Sequence, residues 1–357
     1  MRGYVDPSLW FAEDFADADA KFQMAAGAHL AESHRHPLPG PDGEALHVRV
    51  ARIGPDRARR VLFLLAGTHG TELCAGSGVM VGLLCEPGRL RLPPDTAMVM
   101  IHAINPWGAA WRRYVNEDNA DLMKNFLYGD RPAPPDPLFA AIDAALDIPS
   151  LGTADGMAAM DARRALLEAA HGPARIVAAL KAGQATHPNS IVYYGREPSW
   201  SKRLLDEIVA RHGAGAEQVL FVDLHTGMGV WGGCMTVAEG SEASKHRVRA
   251  WTQGRAEDTD LVVGKPLYGF VGQLVPGCEL TVCYLEGGTE SWGWEMRRVM
   301  LREMFFHLHG DRHSDEAKAV KARFARFYYP GTEAWARRYW ASTAAVLGRL
   351  LDGFAGG

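Results

Sequence analysis

Residues 61–78 read VLFLLAGTHGTELCAGSG. The run from Val61 to Ala66 is apolar without a break and ends at Gly67, which predicts a strand buried on both faces. Small and apolar residues at helical spacing follow over 75–86 and stop before Pro87-Gly88, which predicts a helix. Strand, glycine turn and helix in that order form the opening unit of a parallel α/β sheet.

The same reading extends outward in both directions. Residues 45–53 (ALHVRVARI) alternate and predict an early strand, while 97–103 (AMVMIHA), 219–224 (VLFVDL) and 280–285 (LTVCYL) predict further buried strands. Helical stretches lie near 136–147, 161–182 and 201–212, and a helical tail covers 292–309, 315–327 and 331–352. The expected fold is α/β: a mixed, largely parallel central sheet sandwiched by helices. One domain is expected over residues 1–357, with a helical lead-in over 1–44 and C-terminal helices over 290–357 packed on it. The Pro-rich stretch 130–137 (DRPAPPDP) reads as a loop or lid hinge rather than a boundary.

Composition narrows the function. A chain of 357 residues can bury a large core, and 47% hydrophobic with 22% charged residues is ordinary for a soluble enzyme. Thirty-eight basic against forty-two acidic residues leave a net charge of −4, which gives no electrostatic reason to expect nucleic acid or an anionic membrane as partner. The first residues lack a basic start followed by an apolar run, and no stretch reaches the roughly 20 apolar residues that span a bilayer. A cytoplasmic location is expected. Cys74, Cys85, Cys234, Cys278 and Cys283 form no C-x-x-C pair, as reduced thiols in such a compartment would. A homo-oligomer is possible, but its size leaves no mark in the sequence.

In open α/β sheets functional groups collect beyond the carboxyl ends of strands. His69 and Glu72 stand there, three apart on a tight turn, and both can reach one zinc ion. The same spacing recurs at His29–Glu32 and His313–Glu316, but in helix-like polar surroundings without a preceding strand or glycine turn, where a solvated helix face is expected. His225, in VLFVDLHTGMG, again follows a buried strand and precedes a glycine turn. It is the third candidate ligand. Two histidines and a glutamate with an open position make a catalytic type of site, holding one zinc per chain.

Several blocks together, GTHGTELCAGS (67–77), HAINPWGAAWRRYVNEDNADLMKNF (102–126), YYGREPSWS (193–201), FVDLHTGMG (221–229) and YLEGGTE (284–290), carry a family resemblance. The chain resembles the zinc carboxypeptidase superfamily, which includes carboxypeptidase A and the succinylglutamate desuccinylase/aspartoacylase deacylases, and is most similar to a bacterial branch of predicted carboxypeptidases and deacylases. The resemblance implies that His69, Glu72 and His225 hold zinc and that Glu286 is the general base. It implies that Arg113 steadies the developing oxyanion, with Arg112 as the adjacent alternative, and that Asp121 orients the first zinc histidine. Tyr268 falls near the position of a mobile family tyrosine, although its place also suits packing.

One block departs from the family. Where D-L-N-R-N-F is usual, this chain has Asp121-Leu122-Met123-Lys124-Asn125-Phe126. The family's Asn-Arg pair grips a substrate's terminal carboxylate. Met123 cannot hydrogen-bond it, and Lys124 is a point charge rather than a planar fork. The expectation is therefore a zinc-dependent deacylase or amidohydrolase acting on a small-molecule or short peptide-like substrate. The alternatives are a true metallocarboxypeptidase using Lys124, and a zinc-bearing binding protein without catalysis.

Overall fold

The computed structural model describes residues 5–86, 88, 92–126, 136–258, 266–289 and 293–356. Among them run eight strands: β1 (Leu30–Arg35), β2 (His47–Ile53), β3 (Arg60–Ala66), β4 (Thr96–His102), β5 (Gln218–Thr226), β6 (Cys234–Glu239), β7 (Ala256–Asp258) and β8 (Glu279–Gly287). The helices of the first half are α1 (Phe15–Ala26), α2 (Leu73–Cys85), α3 (Pro106–Ala110), α4 (Leu122–Asn125), α5 (Phe139–Leu146), α6 (Ala154–His171) and α7 (Pro173–Ala182). Those of the second half are α8 (Trp200–Gly213), α9 (Glu242–Trp251), α10 (Pro266–Leu274), α11 (Trp294–Leu308), α12 (Asp315–Arg326) and α13 (Glu333–Gly356).

The strands form one sheet in the order β1-β2-β4-β3-β5-β8-β6-β7. The central pairs β4/β3, β3/β5 and β5/β8 are parallel, while β1/β2, β2/β4 and β6/β8 are antiparallel. From β3 the chain passes through α2 to β4 on one side, and β5 lies on the other side. The order therefore reverses between β3 and β5, the point at which such sheets place their functional groups.

Period-two alternation assigns β3 to two cores. Leu62, Leu64 and Ala66 join the layer containing α2, α9 and α13, while Val61, Phe63 and Leu65 join the layer containing α8 and α10. Phe63 stacks on Phe221 of β5 with ring centroids 5.7 Å apart, and truncating either ring should cost about 3–5 kcal/mol. The small residues of α2 are needed for its approach to the sheet. A Cβ on Gly76 would lie 2.8 Å from the Ala66 methyl and 3.4 Å from Cβ of Leu224. A third apolar cluster joins α5, α6 and α7 to α11.

The ends of the described chain meet on the α2 face. Trp10 packs edge-on against Trp340 of α13 at 4.8 Å, Phe11 against Trp335 and Tyr339, and Arg337 pairs with Asp6 at 2.5 Å.

The mixed sheet with helices on both faces agrees with the sequence expectation, and the five expected strands are found within a few residues of their bounds. Three strands were not legible. The lead-in over 1–44 is not wholly helical, because β1 pairs along β2 as an edge strand. Glu32 of the His29–Glu32 pattern lies on that strand, not on a helix, where it binds His34, Arg211 and His212. In the other pattern, His313 precedes the Ser314 cap of α12, and Glu316 sits in its first turn, bound to Arg302. Strands β6 and β7 were also missed, as were α9 and α10. Residues 130–135 of the expected loop or lid hinge lie outside the described residues.

Candidate metal centre

Gly67 takes a positive φ of 78° just past β3, and a single 3-10 turn at Gly70–Glu72 leads into α2. Glycine suits this bend because it has no Cβ to clash in left-handed backbone. The bend turns His69 and Glu72 toward the same point. His225 reaches it from the end of β5. All three are buried, and one ligand atom from each lies within 4.8 Å of the others.

The histidines are oriented alike. Each presents Nδ1 to a separate oxygen of Glu72, at 2.9 Å in both cases. Each turns Nε2 to an aspartate: His69 to Asp121 at 3.5 Å, and His225 to Asp223 at 2.8 Å. Asp223 is itself held by the Thr68 hydroxyl, which donates at 2.9 and 3.0 Å. Carboxylate, imidazole and a shared inner point is the donor arrangement of a zinc site, in which the outer carboxylate fixes the ring's tautomer and direction. The donor set fits zinc.

Electrostatics agree with this geometry. Burial works to lower the His69 pKa, but the Glu72 and Asp121 carboxylates outweigh it and hold the group above the ordinary histidine value. For His225 burial acts in the same sense, and Asp223 with Glu72 lifts it well above that value. Glu72 is opposed by burial yet lies below the usual carboxylate range because two imidazoles face it. Asp121 is likewise held low against burial, by Lys124 first and His69 next.

Glu286 is the penultimate residue of β8 beside the trio, its Cα paired with that of His225. Burial pushes its carboxyl up to about 7, with His225 pulling down and Glu72 pushing further up. Tyr114 stacks on the His69 ring at 3.7 Å and 15°, and Tyr328 stands 5.4 Å beyond it. Burial first, then the charge of Asp121, lifts the Tyr114 phenol well above its ordinary value.

The other candidates separate. Arg113 is buried, with Nε on Glu303 at 3.1 Å and Nη2 on Asn119 at 3.0 Å, while Nη1 has no partner among the described residues. Lys321 braces Glu303 from α12 at 2.6 Å. Arg112, the neighbouring alternative, is exposed in left-handed backbone and lines a different cleft. Lys124 ion-pairs with Asp121, and Met123 is buried in the α8–α10 core layer. Tyr268 sits on α10, its backbone N–H donating to Glu239 at 2.8 Å and its ring against Gly240.

Sequence reasoning missed Asp223, Tyr114 and Glu303. Asp223 carried a signal, since two residues before His225 on one strand is the same face. Tyr114 and Glu303 carried none.

The family described as "Protein of unknown function (DUF2817)" matches residues 11–342. The chain belongs to that family. No curated protein matches it in sequence. Among solved structures, thrombin activatable fibrinolysis inhibitor superposes with a TM-score of 0.55 at 8% identity, over 96% of this chain and 74% of that one. The bovine inhibitor, solved with tick carboxypeptidase inhibitor, gives 0.51 at 9% identity over 98% and 99%. Succinylglutamate desuccinylase from Chromobacterium violaceum aligns at 18% identity over 87% and 74%, with a TM-score of 0.38. This DUF2817 chain shares its fold with thrombin activatable fibrinolysis inhibitor. No described helix is long and apolar enough to cross a membrane.

Proposed function

We propose that this chain is a cytoplasmic zinc-dependent hydrolase that cleaves an amide bond in a small or short peptide-like substrate. One observation carries the reading: two histidines and a glutamate converge in a buried cluster, with Glu286, whose pKa is raised, in register beside them. His69, Glu72 and His225 would hold the ion. When bound, zinc supplies a Lewis acid that polarises a carbonyl and acidifies water.

The chain's own groups do the rest. Glu286 takes a proton at its carboxylate oxygen and returns it to the leaving amine, the two halves of general base and general acid work. Asp121 and Asp223 hold the two imidazoles in one tautomer. Arg113 is clamped from behind by Glu303 and Asn119, which leaves Nη1 to donate to the developing oxyanion; such a donor in a dry site is worth about 3–4 kcal/mol. Lys124 is engaged by Asp121, which favours a deacylase or amidohydrolase over a carboxypeptidase that would need Lys124 for the terminal carboxylate.

The test is a screen of N-acyl amino acids and dipeptides with the zinc-loaded protein, followed by Glu286→Gln. The variant should keep its zinc and lose roughly 10²–10⁴-fold in kcat. Near wild-type kcat in the variant would remove Glu286 as base, and no turnover by either protein would favour the silent binding protein.

A further inference from the structure

The two histidines of the candidate metal centre are held in different ways. Nε2 of His225 meets Asp223 at 2.8 Å, and the Thr68 hydroxyl fixes that carboxylate through both oxygens. Nε2 of His69 stands 3.5 Å from Asp121, longer than an N–H···O hydrogen bond, and makes no hydrogen bond among the described residues. Asp121 is drawn to Lys124 instead. It can favour one His69 tautomer by its charge, but it grips the ring loosely.

Tyr114 supplies what that side lacks. Its ring lies on the His69 ring with centroids 3.7 Å apart and an interplanar angle of 15°. The aromatic neighbour of His225 is placed otherwise: Tyr284 meets it edge-on, at 5.6 Å and 64°. Aromatic pairs usually sit roughly 4.5–7 Å apart and avoid full face-to-face overlap, because their electron-rich faces repel. An imidazole bound to a cation has given up part of that density, and a phenol face then attracts it. The close stack on His69 suits a metal-loaded ring.

The chain builds a seat for this tyrosine. The Tyr114 carbonyl accepts the N–H of Gly70, the residue after the ligand, at 3.3 Å. A Cβ on Gly70 would lie 2.2 Å from the Gly108 backbone, 2.3 Å from Ala109 and 2.5 Å from Arg113, so glycine is what lets this segment approach the ligand turn. Behind the ring stands Tyr328 at 5.4 Å, in an apolar cluster with Met296, Val299 and Phe324.

We propose that Tyr114 is a positioning residue of the metal centre. Its ring fixes the plane of His69 and favours the metal-loaded imidazole, as Asp223 steadies His225 by hydrogen bonding. The proposal rests on the reading of His69 as a metal ligand.

Zinc affinity from chelator competition and the visible spectrum of the cobalt-substituted protein test this role without any substrate. Tyr114→Leu and Tyr114→Met, apolar but without a ring, should each bind zinc about tenfold or more weakly and shift the cobalt bands, which report ligand geometry. Tyr114→Phe keeps an aromatic face and should stay within about threefold of wild type, with an unshifted spectrum. Phe324→Leu controls for packing, since Tyr328 and Tyr114 lie between Phe324 and His69. It should lower the urea midpoint and leave zinc affinity unchanged. Wild-type affinity and spectrum in either ringless variant would overturn the proposal. So would a loss in Tyr114→Phe equal to theirs, or an equal loss in Phe324→Leu. His69→Ala separates this role from the metal reading. Zinc lost there but kept in the ringless variants refutes Tyr114 alone, whereas zinc kept in His69→Ala removes the ligand and the role of Tyr114 with it.

Discussion

His225 and Glu286 are Cα partners in the parallel register of β5 and β8, with Asp223 and Tyr284 paired two residues behind them. Neighbours in register leave the same face of a sheet, as do residues two apart on one strand. A candidate ligand, the carboxylate that steers it and the candidate base are thus set by backbone pairing alone, before any loop is placed.

Metal uptake should depend steeply on pH. His69 and His225 both have pKa values raised above the ordinary 6.5 in the metal-free chain, so protons persist on them above that pH and must leave when a metal enters. Apparent zinc affinity, measured by chelator competition, should rise by about tenfold or more per pH unit from roughly pH 6 to 7. His69→Ala and His225→Ala should each abolish stoichiometric zinc. A flat pH profile, or full zinc in both variants, would dissociate these residues from the metal.

Asp223→Asn isolates the outer carboxylate. The amide keeps the shape but not the charge facing His225 Nε2, and it cannot accept the Thr68 hydroxyl on both atoms. Zinc affinity should fall roughly 10–100-fold while the circular dichroism spectrum stays that of the wild type. Unaltered affinity would show that Asp223 serves the fold only.

Specificity follows from Lys124 being committed to Asp121. A carboxylate gripped by arginine gains two parallel charge-assisted hydrogen bonds, and no such fork stands at this position. Matched substrates differing only in a free α-carboxylate against its amide or ester should show similar kcat/KM. A preference of about a thousandfold or more for the acid is the magnitude that a site built to pair that group delivers, and it would return the chain to the carboxypeptidases.

His102 should make stability fall in acid. It is fully buried on β4, stacked on Phe22 at 4.4 Å, with Nε2 and the Ser77 hydroxyl 2.9 Å apart, and burial pulls its pKa from 6.5 down to about 4. Because the folded value lies below the unfolded one, its contribution is complete above about pH 6.5 and is lost as pH falls toward 4. The difference amounts to about 3 kcal/mol. Urea unfolding at pH 7 and pH 4.5 should show wild type losing more stability than His102→Gln by about that amount. Equal losses would mean that His102 titrates normally.

The legible part of this protein was what period and punctuation encode. Continuous apolar runs marked β3, β4, β5 and β8, and the glycines after β3 and β5 marked where His69 and His225 turn outward. Edge strand β1 (LAESHR) was missed because it alternates half-buried and exposed residues and pairs on one side only, so no apolar run betrays it. Strand β7 is three residues long, too short for a period. The destination of Arg113 was hidden for a different reason. Its partner Glu303 lies 190 residues away on α11, and a pair that distant leaves no spacing to read.

The seam between Trp10 and Trp340 has a temporal consequence. The face of β3 that carries Leu62, Leu64 and Ala66 is closed by α2 and by α13, and Tyr339 of α13 lies against Gly287, directly after Glu286. Contacts spanning some three hundred residues form late and slowly because a long loop must close first. During synthesis the central strands therefore leave the ribosome with one apolar face only partly covered, by α2, until α13 follows. Nascent chains stalled before residue 333 should therefore aggregate or recruit chaperones.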